Sequence, residues 1–291
     1  MSAIPHVLIV GPGRAGLALG YALIQAEAVE ALTVCGRRSE PPAHPLFIQG
    51  LAEYVFGLAP AGPRTGAILL AVPDGVIPEM AHALAGQGHA PEGCAAFHLS
   101  GALSTDVLAP LHSRGYAVGS FHPLQAIANP VTGAERLPGS YFAVTGTPQA
   151  VAVARRLAAA LGSPVLTVPE TRRPLYHAAA VMASNFLPPL MDSACRMLER
   201  AGIPYDEALP ALLPLVRGTL DNIEEMGVDA SVTGPIPRGD LETVGLHLRA
   251  LEPSDRRLYA VLGLELARLA AARVPEEALR EILERFESET G

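Results

Sequence analysis

The sequence predicts an α/β fold, a doubly wound sheet followed by an all-helical C-terminal domain. Three observations support this prediction. Short apolar runs alternate with helical patterns through the first 169 residues. A glycine-rich turn joins the first apolar run to the first helix. From residue 173 onward only helical patterns occur, so we expect one domain over residues 1–169 and a second over residues 170–291.

Seven apolar runs are expected to form the strands of the first domain. The clearest of them are unbroken, which is typical of strands buried on both faces of a sheet. They cover residues 7–10, 32–36, 67–72, 95–99, 117–121, 141–145 and 165–168. Helices are expected at 17–23, 76–84, 103–114 and 148–161, and residues 46–61 stay unassigned.

Five helices are expected in the second domain. Their patterns cover residues 174–200, 206–226, 240–251, 254–273 and 275–288. The clear irregular stretch among them is 227–238. Two of the helical stretches, 209–216 and 259–269, are unusually apolar, and an apolar surface of this kind favours a homodimer through these helices.

The turn after the first strand fits the pattern G-x-G-x-x-G. The first glycine allows the tight turn, the second lets the backbone approach a pyrophosphate, and the third lets the helix pack closely on the strand. The helix N-terminus also favours phosphate charge. We therefore expect a dinucleotide to bind at Gly11, Pro12, Gly13, Arg14, Ala15 and Gly16.

An arginine pair follows the second strand, where sites for NAD carry an acidic residue. Arg37 and Arg38 suit a 2′-phosphate through charge-assisted hydrogen bonds, which predicts NADP. The alternative is two solvated arginines at the start of a loop.

The amino-acid composition and charge of the chain argue against several classes of function. The chain has 291 residues, 49% of them apolar and 17% charged, so a large core can form, and its net charge of −8 argues against a nucleic-acid partner. Cys35, Cys94 and Cys195 lie far apart without metal-ligand spacing, so we expect no metal site and a reduced, cytoplasmic location. No pattern of a signal peptide or membrane span is present, so no membrane partner is expected. The 21 residues counted as lysine or arginine are all arginine, so the chain contains no lysine and a mechanism based on lysine is excluded.

Several candidate site residues follow predicted strands, at the sheet edge where such folds bind ligands. They are Val72, Pro73, Ser100, Gly101 and His122. His122 is expected just past its strand, and a histidine near neutral pH can donate a proton to a carbonyl oxygen. The alternative is a structural histidine bonded to the backbone.

Polar residues interrupt the apolar helix predicted over residues 174–200. Residues 178–183 are apolar all round and are expected to be buried. Four polar residues of this helix lie on one side of it: His177, Ser184, Asn185 and Asp192. They need hydrogen-bond partners, because burying unbonded polar groups is unfavourable. They suit either the floor of a site or an internal polar network.

Residues 233–240 form a rigid turn around a single cation. Arg238 lies among two glycines and two prolines and could bind a carboxylate or phosphate. The alternative is a helix-capping loop with Asp240 as the N-cap.

Four motifs together resemble one family: GPGRAG at 11–16, SFHPLQ at 120–125, YHAAAVMASNF at 176–186 and TGPIPRGD at 233–240. That family pairs a Rossmann-like domain with a helical C-terminal domain of unknown function. It is similar to the 6-phosphogluconate-dehydrogenase-like group, which includes pyrroline-5-carboxylate reductase, ketopantoate reductases and prephenate dehydrogenase. The resemblance implies a Rossmann-type sheet, an alternative ketopantoate reductase activity in some members, and dimerisation through the C-terminal domain.

The resemblance also bears on the catalytic group. Hydroxyacid dehydrogenases of the wider group carry a lysine four residues before an asparagine on the corresponding helix. Asn185 matches that asparagine, but Val181 stands at the lysine position. Prephenate dehydrogenases carry a catalytic His-Pro after a late strand, and His122-Pro123 resembles that arrangement.

Together these patterns predict a cytoplasmic NADP-dependent oxidoreductase that acts on a small anionic carbonyl or imine, such as the 2-oxo acid ketopantoate. The nicotinamide is expected across residues 72–73 and 100–101, with His122 as the acid/base. Asn185, with His177 or Ser184, is expected to bind the substrate oxygen, and Arg238 its anionic end, in its own or the partner's site. The rival hypothesis is a non-catalytic NADP-binding sensor or interaction protein.

Overall fold

The computed structural model describes residues 3–290. The chain forms two compact units, one ending at Asn185 and one beginning at Phe186. Among the described residues, no helix has the length and apolar character needed to cross a membrane. The predicted domain boundary after residue 169 stays a prediction, and the compact first unit extends past it.

An eight-stranded sheet organises the first unit, in the order β3-β2-β1-β4-β5-β6-β7-β8. The strands are β1 (His6–Val10), β2 (Leu32–Gly36), β3 (Glu53–Phe56), β4 (Thr65–Leu70), β5 (Ala95–His98), β6 (Ala117–Pro123), β7 (Phe142–Gly146) and β8 (Val165–Thr167). Adjacent strands run parallel except for β6 and β7, which are antiparallel. The predicted α/β fold class is confirmed.

Apolar residues cover both faces of the sheet. Within β1, Val7 and Ile9 belong to one buried cluster, and Leu8 and Val10 belong to the cluster on the opposite face. This explains why the strand is an unbroken apolar run, since both of its faces are covered by helices.

The helices of the first unit are α1 (Arg14–Gln25), α2 (Pro45–Ile48), α3 (Ile77–Ala85), α4 (Ala109–His112), α5 (Pro130–Arg136), α6 (Pro148–Ala160) and α7 (Arg173–Ala180). The helix predicted at 103–114 is instead a 3-10 helix, Thr105–Leu108, followed by the single turn of α4. Strand β3 and helices α2 and α5 were not predicted; β3 is an edge strand of four residues whose side chains are partly or fully exposed.

The single helix predicted over residues 174–200 is wrong. Helix α7 ends at Ala180, a π-helical turn spans Val181–Asn185, and α8 begins at Leu187. Pro188 and Pro189 follow the π turn and lack the N–H groups that would continue regular helical hydrogen bonding. The expected burial of residues 178–183 is also wrong in the single chain, because Met182 is 70% exposed.

The second unit contains α8 (Leu187–Arg200), α9 (Tyr205–Met226), α10 (Leu241–Ala250), α11 (Pro253–Ala270) and α12 (Glu276–Thr290). Its core centres on Val244, Ala260, Ile282 and Phe286. Large apolar side chains remain exposed on α9 and α11, including Leu209, Leu215, Val261, Leu262 and Leu269.

Candidate active site

The turn between β1 and α1 is shaped by glycines in contact with backbone. Gly11 has a φ of +109°, and a Cβ added there would lie 2.5 Å from the carbonyl oxygen of Ala71. A Cβ at Gly16 would collide with the carbonyl oxygen of Gly11. These two positions therefore exclude any side chain, which leaves a bare backbone surface at the carboxyl end of the sheet.

The N-terminus of α1 faces the same end of the sheet. Its N-cap is Gly13, which provides no side-chain hydrogen bond, and its first turn contains no acidic residue. The first N–H groups of a helix have no partners within the helix and carry partial positive charge. Arg14 and Ala15, the first two residues of α1, complete a turn that fits a pyrophosphate.

A cleft of about 730 Å³ opens from this turn. It lies where the strand order reverses between β1 and β4, the usual binding position in doubly wound sheets. Predicted cofactor residues that line it are Gly11, Pro12, Gly13, Arg37, Arg38, Val72 and Pro73. Both arginines are exposed, and the Tyr54 hydroxyl donates a 2.7 Å hydrogen bond to the Arg38 carbonyl oxygen. Glu40 also lines the cleft, and the sequence analysis did not identify it.

Ser100 shapes the loop after β5. Its hydroxyl donates a 2.7 Å hydrogen bond to the Asp74 carboxylate and accepts from the N–H groups of Ala102 and Leu103. Two strand-end loops, after β4 and after β5, are thus tied together, and Asp74 was not predicted.

Arg173 is the main polar residue that the sequence analysis missed. It begins α7, its side chain is fully buried, and its guanidinium donates to the carbonyl oxygens of Ser100 and Leu103. It also donates to the hydroxyls of Ser120 and Thr145. One buried cation therefore connects the loop after β5, the middle of β6 and the end of β7 to α7, which explains why α7 belongs to the first unit.

His122 lies within β6 rather than just past it. Its Nδ1 is 2.8 Å from the Tyr176 hydroxyl oxygen, and the two rings meet edge to face. The His177 ring lies 6.0 Å from the His122 ring between centroids. Burial, helped by His177 and Arg173, lowers the pKa of His122 to about 4, and burial raises the pKa of Tyr176 to about 12.

Gly101 lies directly against the two histidines. A Cβ added there would lie 2.5 Å from His177 Cδ2 and 3.0 Å from His122 Nε2. Glycine at this position therefore leaves room for the histidine pair. The structure brings together the predicted residues Ser100, Gly101, His122 and His177.

The side chains of three other predicted site residues are exposed. Ser184 and Asn185 are exposed in the π-helical turn. Arg238 is exposed in the second unit, where Asp240 caps α10 by accepting from the Thr243 N–H at 3.0 Å. Asp192 pairs with Arg196 and accepts from the Tyr205 hydroxyl.

Two further observations concern titratable groups. His98 is fully buried at the end of β5, and burial lowers its pKa to about 4. Within residues 3–290, no group of three or more His, Cys, Asp or Glu is placed to hold a metal ion.

Comparisons with known proteins agree with this architecture. Residues 2–123 match the family model of a Rossmann-like domain, and residues 140–266 match that of a domain of unknown function, DUF2520. No curated protein of related sequence was found.

Solved structures with the same fold cover nearly the whole chain. A protein of Bacteroides fragilis described as a candidate NADP oxidoreductase is 23% identical, with 97% of this chain and 98% of that chain covered and a TM-score of 0.68. The protein TM1727 of Thermotoga maritima is 21% identical, with 97% and 99% covered and a TM-score of 0.65. Pyrroline carboxylate reductase of Plasmodium falciparum, solved with NADP bound, is 11% identical, with both chains fully covered and a TM-score of 0.62. The chain is thus similar to a Rossmann-like domain over residues 2–123 and to a DUF2520 domain over residues 140–266.

Proposed function

We propose that this protein is an NADP-dependent oxidoreductase of the 6-phosphogluconate-dehydrogenase-like group. The observation that carries the proposal is the cleft at the β1–α1 turn, where bare glycine backbone, an uncapped helix N-terminus and an arginine pair meet. These groups suit a pyrophosphate and a 2′-phosphate. The NADP named with two of the similar structures supports the same cofactor.

The reaction would take place beside the Ser100–Gly101 loop and His122. NADPH, when bound, supplies a hydride. As a carbonyl carbon accepts the hydride, negative charge grows on the oxygen, and a hydrogen-bond donor placed there stabilises it. Because its pKa is about 4, His122 is neutral at pH 7 and would stabilise this charge as a neutral hydrogen-bond donor, while the proton that completes the product would come from solvent. The sequence predicted this residue as the acid/base.

The proposed substrate is a small anionic carbonyl or imine, for example a 2-oxo acid such as ketopantoate. Asn185, Ser184 and His177 remain candidates for contact with its oxygen, and Arg238 for its anionic end. The direct test is a panel of oxo acids and imines, with NADPH oxidation followed at 340 nm. Tight NADPH binding without turnover of any member would instead favour the non-catalytic sensor.

The choice of cofactor tests the arginine pair. NADPH should bind at least about tenfold more tightly than NADH, about 1.4 kcal/mol. Replacing both Arg37 and Arg38 with alanine should remove this difference, while Arg64→Ala, at an exposed ion pair with Glu30, should preserve it. Calorimetric titration with both cofactors measures the ratio, and equal affinities in the parent protein would refute the assignment.

The second proposal concerns assembly. Exposed leucines on α9 and α11 are apolar surface of the kind that subunits bury in dimers. We propose a homodimer through the C-terminal helices. Light scattering at micromolar concentration should give twice the 30.3 kDa chain mass, and a monomer would contradict it.

A further inference from the structure

The contacts between α7 and β6 repeat at matched positions. Arg173 and Tyr176 are three positions apart on the helix, and Ser120 and His122 are two positions apart on the strand, so each pair lies on one face. Arg173 bonds to Ser120, and Tyr176 to His122. The buried guanidinium thus fixes the start of α7, and the next side chain on the same face reaches the imidazole.

The chemistry of the two groups determines which one donates. A neutral imidazole nitrogen is a stronger acceptor than a phenolic oxygen, and the phenol is the better donor. Burial keeps the Tyr176 hydroxyl protonated, since its pKa rises to about 12. Burial, helped by His177 and Arg173, opposes a second proton on the imidazole. Each factor favours a hydrogen bond from the Tyr176 hydroxyl to Nδ1.

We propose that Tyr176 is a positioning residue that holds His122 in the neutral tautomer with its proton on Nε2. The Nε2–H is then on the side of the ring that faces Gly101, where a Cβ would lie 3.0 Å from Nε2, so glycine is the residue that fits beside this nitrogen. In its functional part this inference rests on the proposed reduction, where Nε2–H would meet the substrate atom that gains charge. The tautomer itself is a property of the free protein.

The experiment is long-range ¹H–¹⁵N correlation NMR at pH 7 on protein labelled with ¹⁵N-histidine. The chain has nine histidines, and the His122→Gln variant assigns the His122 signals by their loss. The parent should show an unprotonated Nδ1 and a protonated Nε2. In Tyr176→Phe, which removes only the hydroxyl, both nitrogen shifts should move toward a common average because the two tautomers then exchange.

A matched control exists in the second unit. The Tyr259 hydroxyl lies 2.9 Å from His247 Nδ1, with a ring-centroid distance of 5.7 Å, so Tyr259→Phe makes the same chemical change elsewhere. The His122 signals should be unchanged in this variant.

Three results would overturn the inference: a proton on Nδ1 in the parent, an imidazolium at pH 7, or His122 shifts in Tyr176→Phe identical to those of the parent. None of these measurements uses a cofactor or a substrate. Failure of the oxidoreductase proposal, seen as no turnover across the substrate panel, is therefore distinguishable from failure of the tautomer assignment.

Discussion

Two histidine–tyrosine pairs of almost identical geometry occupy different units of this protein. His122 and Tyr176 are 2.8 Å apart with rings at 88°, and His247 and Tyr259 are 2.9 Å apart with rings at 89°. Their surroundings differ. In the first pair, His122 contacts a second histidine, His177, and Tyr176 lies on α7 one turn after the buried Arg173. In the second pair, His247 is exposed.

The second pair joins α10 to α11, and the Tyr259 ring also packs against Phe286 of the helical core. That arrangement is sufficient for a structural role. The first pair lies near the carboxyl end of β6, beside a glycine that packs closely against the imidazole. The comparison shows that the local geometry of a pair does not indicate chemistry; burial, nearby charge and access to the ring do.

The largest effect on the difference between the two pairs is expected from removing Arg173, the buried cation on the same helix as Tyr176. Arg173→Ala deletes four hydrogen bonds from a buried charged group and leaves the carbonyl oxygens of Ser100 and Leu103 without that donor. We expect a loss of about 3–5 kcal/mol in the free energy of unfolding. Urea denaturation measures it.

The control for that variant is Arg64→Ala, since Arg64 forms an exposed ion pair with Glu30. Exposed pairs contribute about 0–1 kcal/mol. If the two variants lost the same small amount, Arg173 would not be the connection between the strand ends and α7.

Activity provides the second test of the contrast. His122→Ala should lower turnover by at least about a hundredfold with little change in NADPH affinity, since one positioned donor is lost. His247→Ala should leave turnover unchanged. His177→Ala distinguishes the neighbours: a large loss there with an active His122→Ala variant would mean that His177 is the catalytic histidine.

Much of the fold could be predicted because its signals are local. The buried strands are continuous apolar runs, and the glycine turn requires particular residues at fixed spacing. Strand β3 escaped prediction because its apolar run is only three residues long, Tyr54 to Phe56, which is too short to distinguish a strand. The π-helical turn had a signal, the Pro188-Pro189 pair inside a predicted helix, which should have interrupted that helix.

The site was harder to predict because its centre is made by distant contacts. Arg173 bonds to residues 28 to 73 positions away in the chain, and no local pattern reveals such burial. One hint exists: a cation in the first turn of a helix opposes the helix dipole, so its position suggests a tertiary partner. The expected role of His122 changed for a similar reason. A free histidine has a pKa near neutrality, but burial lowers the pKa of His122.

The smallest effect, and the one that isolates His122, is the pH dependence of stability. The unfolded state binds a proton on His122 near its ordinary pKa of 6.5, whereas burial lowers the folded-state pKa to about 4. Between these values the unfolded state binds more protons, so stability is full above pH 6.5 and falls as the pH drops toward 4. From pH 7.5 to pH 5 the contribution of this group is about 2 kcal/mol.

His98, whose pKa is also about 4, adds a loss of the same sign in every variant. His122→Gln should therefore reduce the loss between the two pH values by about 2 kcal/mol without abolishing it. Because each protein is compared with itself at two pH values, the cost of the substitution cancels. Equal losses in parent and variant, measured by urea denaturation, would show that His122 is not held neutral by its surroundings.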